Sequence, residues 1–186
     1  MQAEALLLER NSHPRLAGNV PNQDVLEFIY QAALRAPDHG NLRPWRFIEF
    51  TGEGRERLGE LFCQALLVDK PDAEEAMQKK RKMMPLRAPM VIAAIAKVTP
   101  DHPKVPTVEQ IISAGAAAQN IILAAHAKGL GAMWRTGDVA FDPVVAKGLG
   151  LADDDQIVGF IYLGEIEGRC KLVPEHNTED YVERWS

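Results

Sequence analysis

Two cysteines in 186 residues, Cys63 and Cys170, provide neither a disulfide framework nor a CxxC pair. The usual signatures of dithiol redox chemistry and structural zinc are therefore missing, and a reducing compartment fits this usage best. Positive charge is also scarce: 21 Lys and Arg face 26 Asp and Glu, a formal charge of -5. This is the reverse of a nucleic-acid-binding surface, so any phosphate site must be local and no nucleic-acid partner is expected. The five histidines, at 13, 39, 102, 126 and 176, show no metal-ligand spacing. There is no GxxxxGK[ST], no HExxH and no GxSxG, which removes the simplest signs of a P-loop NTPase, a zinc protease and an α/β-hydrolase. Gly129-Leu130-Gly131-Ala132-Met133-Trp134 begins like a dinucleotide fingerprint, but Trp occupies the third glycine position and a helix precedes it where a strand is required. No long hydrophobic run is unbroken: Ile111 to Ala127 is interrupted by Ser113, Gln119, Asn120 and His126, so no membrane crossing is expected. The N-terminal run carries Glu4 and Glu9 and lacks a basic flank, which reads as mature protein in the cytoplasm rather than a signal peptide. For an enzyme, these absences leave chemistry carried by an organic cofactor.

What is present is an ordinary globular composition, 46% hydrophobic and 25% charged, over a length suited to a single domain spanning residues 1–186. The spacing predicts helices over Ala3–Glu9, from the N-cap Asn22 to about Arg35, over Glu53–Val68, over Pro71–Lys82 and over Thr107–Lys128. A short helix is predicted from Asp142 or Pro143 to Lys147. Strands are predicted over Trp45–Phe50, Met90–Val98, Leu130–Thr136 and Gln156–Leu163. The charge run on the fourth helix reads as a solvated face, and the tail after Gly164 as polar. Without a regular βαβ alternation, the class is α+β.

The helix Thr107–Lys128 is apolar around more than one stripe, so a single core face cannot satisfy it. It is central, or it pairs with another subunit; Gly115 and its alanines permit close backbone approach, which favours helix-on-helix packing over a cofactor groove along its length, and of the two the pairing with a second subunit is the one expected.

Three clusters carry the remaining information: Arg10-Asn11-Ser12; Arg35-Ala36-Pro37-Asp38-His39-Gly40-Asn41-Leu42-Arg43-Pro44-Trp45; and Gly129 to Gly137, containing Trp134-Arg135-Thr136. Taken singly, Arg10 and Ser12 read equally well as a helix end and a turn, His39 as a turn-capping loop residue and Trp134 as a core side chain. In their order and spacing, the clusters resemble the nitroreductase family of FMN-dependent oxidoreductases, and within it the short, minimal NAD(P)H nitroreductases. The stretches Arg87-Ala88-Pro89 and Lys104-Val105-Pro106 add to that resemblance, which extends from about Leu6 to Gly164.

The resemblance implies a nitroreductase-like α+β fold in one FMN-binding domain, with a central, mostly antiparallel sheet flanked by helices, and an intertwined homodimer with FMN at the subunit interface. It implies that Arg10, Asn11 and Ser12 hold the flavin's phosphate and ribityl end. Arg35 and His39 would reach the flavin from the partner chain, and Trp134, Arg135 and Thr136 would form the third contacting segment. The activity implied is a two-electron, ping-pong oxidoreductase: NAD(P)H reduces FMN, leaves, and is replaced by a nitroaromatic, quinone or similar small acceptor. No protein group is required as catalyst and no metal is implied. Two departures stand out. Pro14 occupies the position two after the serine, where the family carries a basic residue, with Arg15 following. The usual serine-rich loop is here Asp38-His39-Gly40-Asn41. A flavin-binding dimeric module with little turnover, or another flavin reaction such as dehalogenation, are the alternatives on the same fold.

Overall fold

The computed structural model describes residues 2–169 and 172–185; Cys170 lies outside them, and Cys63 is a buried free thiol. Helix α1 spans Ala3–Leu8, and the chain then passes through a two-residue strand, β1, Leu16–Ala17. Helix α2, Gln23–Ala33, begins where sequence predicts, because the Asn22 side chain accepts from Val25 N–H at 3.0 Å and satisfies one orphan donor of the first turn. Its apolar stripe buries Leu26, Ile29 and Ala33. Strand β2 (Trp45–Thr51), helix α3 (Glu53–Asp69) and helix α4 (Glu75–Lys82) follow, and a 3-10 turn at Pro85–Arg87 leads into strand β3 (Met90–Ala96). Helix α5 is Thr107–Ala127, strand β4 is Gly131–Arg135, helix α6 is Pro143–Gly148 and strand β5 is Gln156–Ile166.

Every strand pairing is antiparallel. Ile161 of β5 pairs with Ile92 of β3 on one side and Trp134 of β4 on the other, and β3 pairs onward with β2. The order across the sheet is therefore β4-β5-β3-β2, with β1 joined to the far end of β5 at Ile166 and Glu165. Strand β3 is buried at every residue, as its unbroken apolar run requires. Its alternate residues feed two cores. Met90, Ile92 and Ala94 pack with α2 and α5 on one face, and Val91, Ala93 and Ile95 pack with Leu58 and Phe62 of α3 on the other.

Helix α5 is 21 residues long and apolar enough to cross a membrane, yet half of it is buried, and Ile121, Ala117 and Ala118 sit in the first core. It ends in a paired 6→1 and 5→2 turn: Leu130 N–H donates to Ala125 at 2.9 Å, Gly129 N–H donates to His126 at 2.9 Å, and Gly129 takes φ +75°. That turn aims the chain directly into β4.

Two expectations are corrected. Strand β5 continues past Gly164 to Ile166, because β1 supplies it with a partner there. The segment after it is not simply polar: Leu172, Tyr181 and Trp185 are all exposed.

Candidate functional site

The loop from Glu9 to Arg15 is held against β4 by the chain's own backbone. His13 N–H donates to Ala132 C=O at 3.0 Å, and Gly131 lies so close beneath it that a Cβ there would meet His13 Cβ at 3.3 Å and Leu16 Cδ2 at 2.6 Å. The first and third sequence clusters therefore become neighbours within one chain. Asn11 Oδ1 accepts from Ser12 N–H at 2.9 Å, which turns the backbone, and its Nδ2 donates to Leu172 C=O at 3.4 Å. Arg10 and Ser12 are half-buried, and among the described residues neither the guanidinium nor the hydroxyl has a hydrogen-bond or ion-pair partner. Two half-buried donors without a protein acceptor suit an anion, and the flavin phosphate implied by the resemblance fits them.

The third cluster splits its side chains between the two faces of the sheet. Trp134 turns toward the α5 side, where its indole N–H donates to Val158 C=O at 3.2 Å. Val158 is the extra residue of a bulge in β5, between the pairs Ala94–Gly159 and Ile95–Ile157, so the indole satisfies a carbonyl near the ladder's irregularity. A Cβ on Gly159 would overlap Trp134 Nε1 at 2.1 Å, so glycine there is what seats the ring. Arg135 lies on the opposite face, its guanidinium 5.6 Å from the Tyr162 ring centroid. Thr136 is exposed just past the strand.

The middle cluster forms a separate depression of about 450 Å³, lined by Arg35, Asp38, Asn41, Arg43 and Trp45 among others. Its shape is fixed by Asp38, whose carboxylate accepts from Leu42 N–H at 3.1 Å and Arg43 N–H at 2.8 Å. Asn41 and Arg43 both adopt left-handed backbone, at φ 53° and 51°. The loop is tied to α5 by the Ser113 hydroxyl, which donates to Pro37 C=O, and the end of α2 that precedes it by Asn120, which donates to Ala32 C=O at 3.0 Å. Arg35 is exposed without a partner among the described residues, whereas His39 Nδ1 is engaged by Glu109 at 2.6 Å.

One chain does not bring this loop to Arg10. The loop feeds β2, at one edge of the sheet, and Arg135 lies on β4, at the other. Three strand spacings separate the edges by about 14 Å, and the three-residue offset of Trp45 from Ile48, the residue in line with Arg135, adds about 10 Å along the strands.

Three further groups stand beside the predicted residues. His13 is 6% exposed, and burial first, then His126 and Arg10, push its imidazole below the usual 6.5. Nε2 of His126 is buried with no partner among the described residues. Arg15 and Arg169 line a depression of about 160 Å³ with His13 and Glu167, so Arg169 adds a cation that sequence reasoning left in the tail. Arg87 shares the surroundings of Tyr162 with Arg135; burial raises the phenol above its ordinary value, and these two cations oppose that rise. Of these, Arg15 and Arg87 had a sequence signal, Arg15 as the basic residue after Pro14 and Arg87 as part of Arg87-Ala88-Pro89. Among the described residues, no group of three metal-ligating side chains occurs.

His13 makes folding pH-dependent. Because its folded-state pKa lies below the unfolded one, the unfolded chain binds the proton first and stability falls as pH drops below about 6.5. Chemical denaturation at pH 7.5 and 5.5 is expected to show a smaller loss for His13→Gln than for the native protein; equal losses would exclude this assignment.

Comparison with known proteins follows the same lines. The model of the Nitroreductase family matches residues 7–165. The protein called NAD(P)H nitroreductase YdjA in Escherichia coli K12 is 42% identical over 164 residues, 88% of each chain. A nitroreductase-like protein from Bacillus cereus superposes with a TM-score of 0.84 at 23% identity, covering 100% of this chain and 96% of that one. A nitroreductase with bound FMN from Bacteroides fragilis superposes with a TM-score of 0.74 at 18% identity over the whole of both chains. The last two show the fold. The family match over most of the length, together with the identity to YdjA, shows that this chain belongs to the nitroreductase family.

Proposed function

We propose that the protein is a cytoplasmic, FMN-dependent NAD(P)H oxidoreductase that works as a homodimer and reduces nitroaromatic, quinone or similar small acceptors by a two-electron, ping-pong cycle. The observation that carries this reading is the His13 to Ala132 hydrogen bond. It brings Arg10 and Ser12 to the strand carrying Arg135 and leaves their donors uncommitted among the described residues. FMN, when bound, would supply the two-electron relay between donor and acceptor. The Bacteroides fragilis neighbour with bound FMN and the name of the 42% identical relative support that choice of cofactor and donor.

In this reading Arg10 and Ser12 bind the phosphate, and Arg135, with Arg169 near the first loop, adds positive charge that a protein of net charge -5 does not otherwise offer. His13 remains neutral and buried, positioning the loop through its backbone. Arg35 and His39 of the partner subunit complete the pocket, which accounts for their placement on the far sheet edge. Overall, a nitro group reduced to nitroso takes two electrons from NAD(P)H and two protons, one from NAD(P)H and one from solvent, and releases water.

The surface area supports the second copy. A folded monomer of 20.6 kDa has about 8,900 Å² of accessible surface, and this chain has 11768 Å². The excess of about 2,900 Å² per chain, to which the exposed residues 172–185 contribute, leaves room for a dimer interface of the obligate class. Val108, Ile112 and Gly115 form an uncovered line on α5 at helical spacing, with nothing within 4 Å of a Cβ at Gly115.

The test is the visible spectrum of the purified protein before and after anaerobic NADH, then NADPH. A flavin spectrum that bleaches is expected. A flavin that persists would favour a binding module without turnover, and a colourless protein that takes up no FMN would overturn the reading.

A further inference from the structure

The start of α5 holds the loop that carries His39 at three points. The Ser113 hydroxyl donates to Pro37 C=O, Gly40 rests so close to Val105 that a Cβ there would meet Val105 Cγ2 at 3.2 Å, and Glu109 Oε2 lies 2.6 Å from His39 Nδ1. Val105 is itself pinned: the buried Gln110 amide donates to Val105 C=O at 3.1 Å and exchanges hydrogen bonds with the backbone N–H and C=O of Thr99. Buried contacts therefore seat the backbone of the loop. Glu109, by contrast, holds only the ring. In one chain the imidazole is 58% exposed and the carboxylate 44%, and an ion pair so open contributes little to stability. Its consequence is orientation. An ionised carboxylate only accepts hydrogen bonds, so the proton at this contact sits on Nδ1, and Nε2 is left without a partner among the described residues.

We propose that Glu109 is a positioning residue for flavin binding: it fixes the proton of His39 on Nδ1, so that Nε2 is the nitrogen offered to the FMN held by the second copy. The proposal rests on the FMN-dependent homodimer read above. With its Nδ1 proton fixed, the neutral ring presents Nε2 as a hydrogen-bond acceptor, which fits an O–H or N–H group of the cofactor; with the proton on Nε2 that bond is lost. A carboxylate partner sets the tautomer of an imidazole in the same way in catalytic triads. The placement of Glu109 on α5 favours this role over a purely local one. Glu109 and Ser113 are four residues apart and form a stripe that borders Val108 and Ile112, the uncovered line of that helix. The surface that would meet the second copy and the carboxylate that sets the His39 ring thus lie side by side on one rigid element.

The test uses the full-length protein and two readouts. Nitrogen NMR of the isotope-labelled protein without flavin, at about pH 8 and so above the ordinary imidazole range, is expected to show the His39 proton on Nδ1 in the native protein and a shift toward Nε2 in Glu109→Ala; the signal missing from His39→Ala identifies the ring. Fluorescence titration with FMN is expected to show binding about fivefold weaker for Glu109→Ala and for His39→Ala, the loss of roughly one hydrogen bond. The double variant should bind no more weakly than His39→Ala alone, because Glu109 acts only through that ring. Glu109→Gln should fall between native and alanine, since its amide oxygen still accepts from Nδ1 while its NH2 group serves the other tautomer equally well. Losses that add in the double variant, or a His39 proton that stays on Nδ1 in Glu109→Ala, overturn the assignment. A Glu109→Ala protein that runs as a monomer on gel filtration also overturns it and gives the residue to the seam. A native protein that takes up no FMN overturns the flavin reading itself, and the ring spectrum, which needs no flavin, keeps the two failures distinguishable.

Discussion

Replacing Arg10 by alanine is expected to weaken FMN binding by about 100-fold and to give a protein that loses its flavin on dialysis. The size follows from the setting. A hydrogen bond to a charged group is worth about 1.5–3 kcal/mol, and a half-buried guanidinium facing a phosphate makes more than one. Arg10 has no described carboxylate to share its charge with, so its whole donor set is available, and alanine leaves Ser12 and more distant cations to hold a dianion. Arg10→Lys should fall between the two, since an ammonium keeps the charge and loses the planar fork. Fluorescence titration of the apo protein with FMN measures both. An affinity within twofold of the native value for Arg10→Ala would remove this residue from the phosphate site, and a loss matched by a lowered Tm would assign it to folding instead. The substitution is expected to leave Tm of the apo protein nearly unchanged, because Arg10 has no described hydrogen-bond or ion-pair partner to lose.

The elements legible in the sequence are those whose information is local. Asn22 announces α2 because its side chain is the cap, Gly129 ends α5 because only a left-handed residue closes that turn readily, and the unbroken run from Met90 is a strand covered on both faces. Strand β1 was not legible. Two residues between Pro14 and Gly18 carry no periodicity, and Leu16–Ala17 is a strand only because Ile166 and Glu165 lie beside it. The same non-local pairing extends β5 beyond Gly164, where sequence reasoning ended it. In the candidate site, the clusters at 10–12 and 134–136 were legible as motifs, but their contact was not, since a hydrogen bond between His13 and Ala132 spans the whole fold. Arg169 and His13 were overlooked for the same reason: each sits in an ordinary tail or loop and gains meaning only from what the fold places next to it, and Arg87, legible as part of Arg87-Ala88-Pro89, acquires its neighbour Tyr162 only through the sheet. Trp134 illustrates the converse. Its motif position suggested a ligand contact, while its indole serves the bulge at Val158, so any contact with FMN would come from its backbone or ring face.

If α5 pairs with a second copy as proposed, placing a charge on its uncovered line is expected to dissociate that dimer and, with it, the flavin. Ile112 is 65% exposed in the single chain and lies between Val108 and Gly115 on the uncovered line of that helix. If a second copy covers this line, arginine at 112 places a charge in the seam with only Glu109, already engaged by His39, within helical reach, a change that costs about 3–5 kcal/mol and shifts the dissociation constant by two or more orders of magnitude. Light scattering during gel filtration should then report about 20.6 kDa for Ile112→Arg at concentrations where the native protein runs at twice that mass. Because Arg35 and His39 enter the pocket from the partner chain in this arrangement, the monomer is also expected to be colourless, although every residue of the Arg10 loop is intact. Val68→Arg supplies the control: Val68 is 70% exposed on α3, across the sheet from α5, and charge there should leave both mass and flavin unchanged. A dimer that survives Ile112→Arg would place the interface elsewhere. A monomer that still retains flavin would show that one chain holds FMN without the partner's loop, and the wide separation of β2 from β4 across the sheet would then have no role in the site.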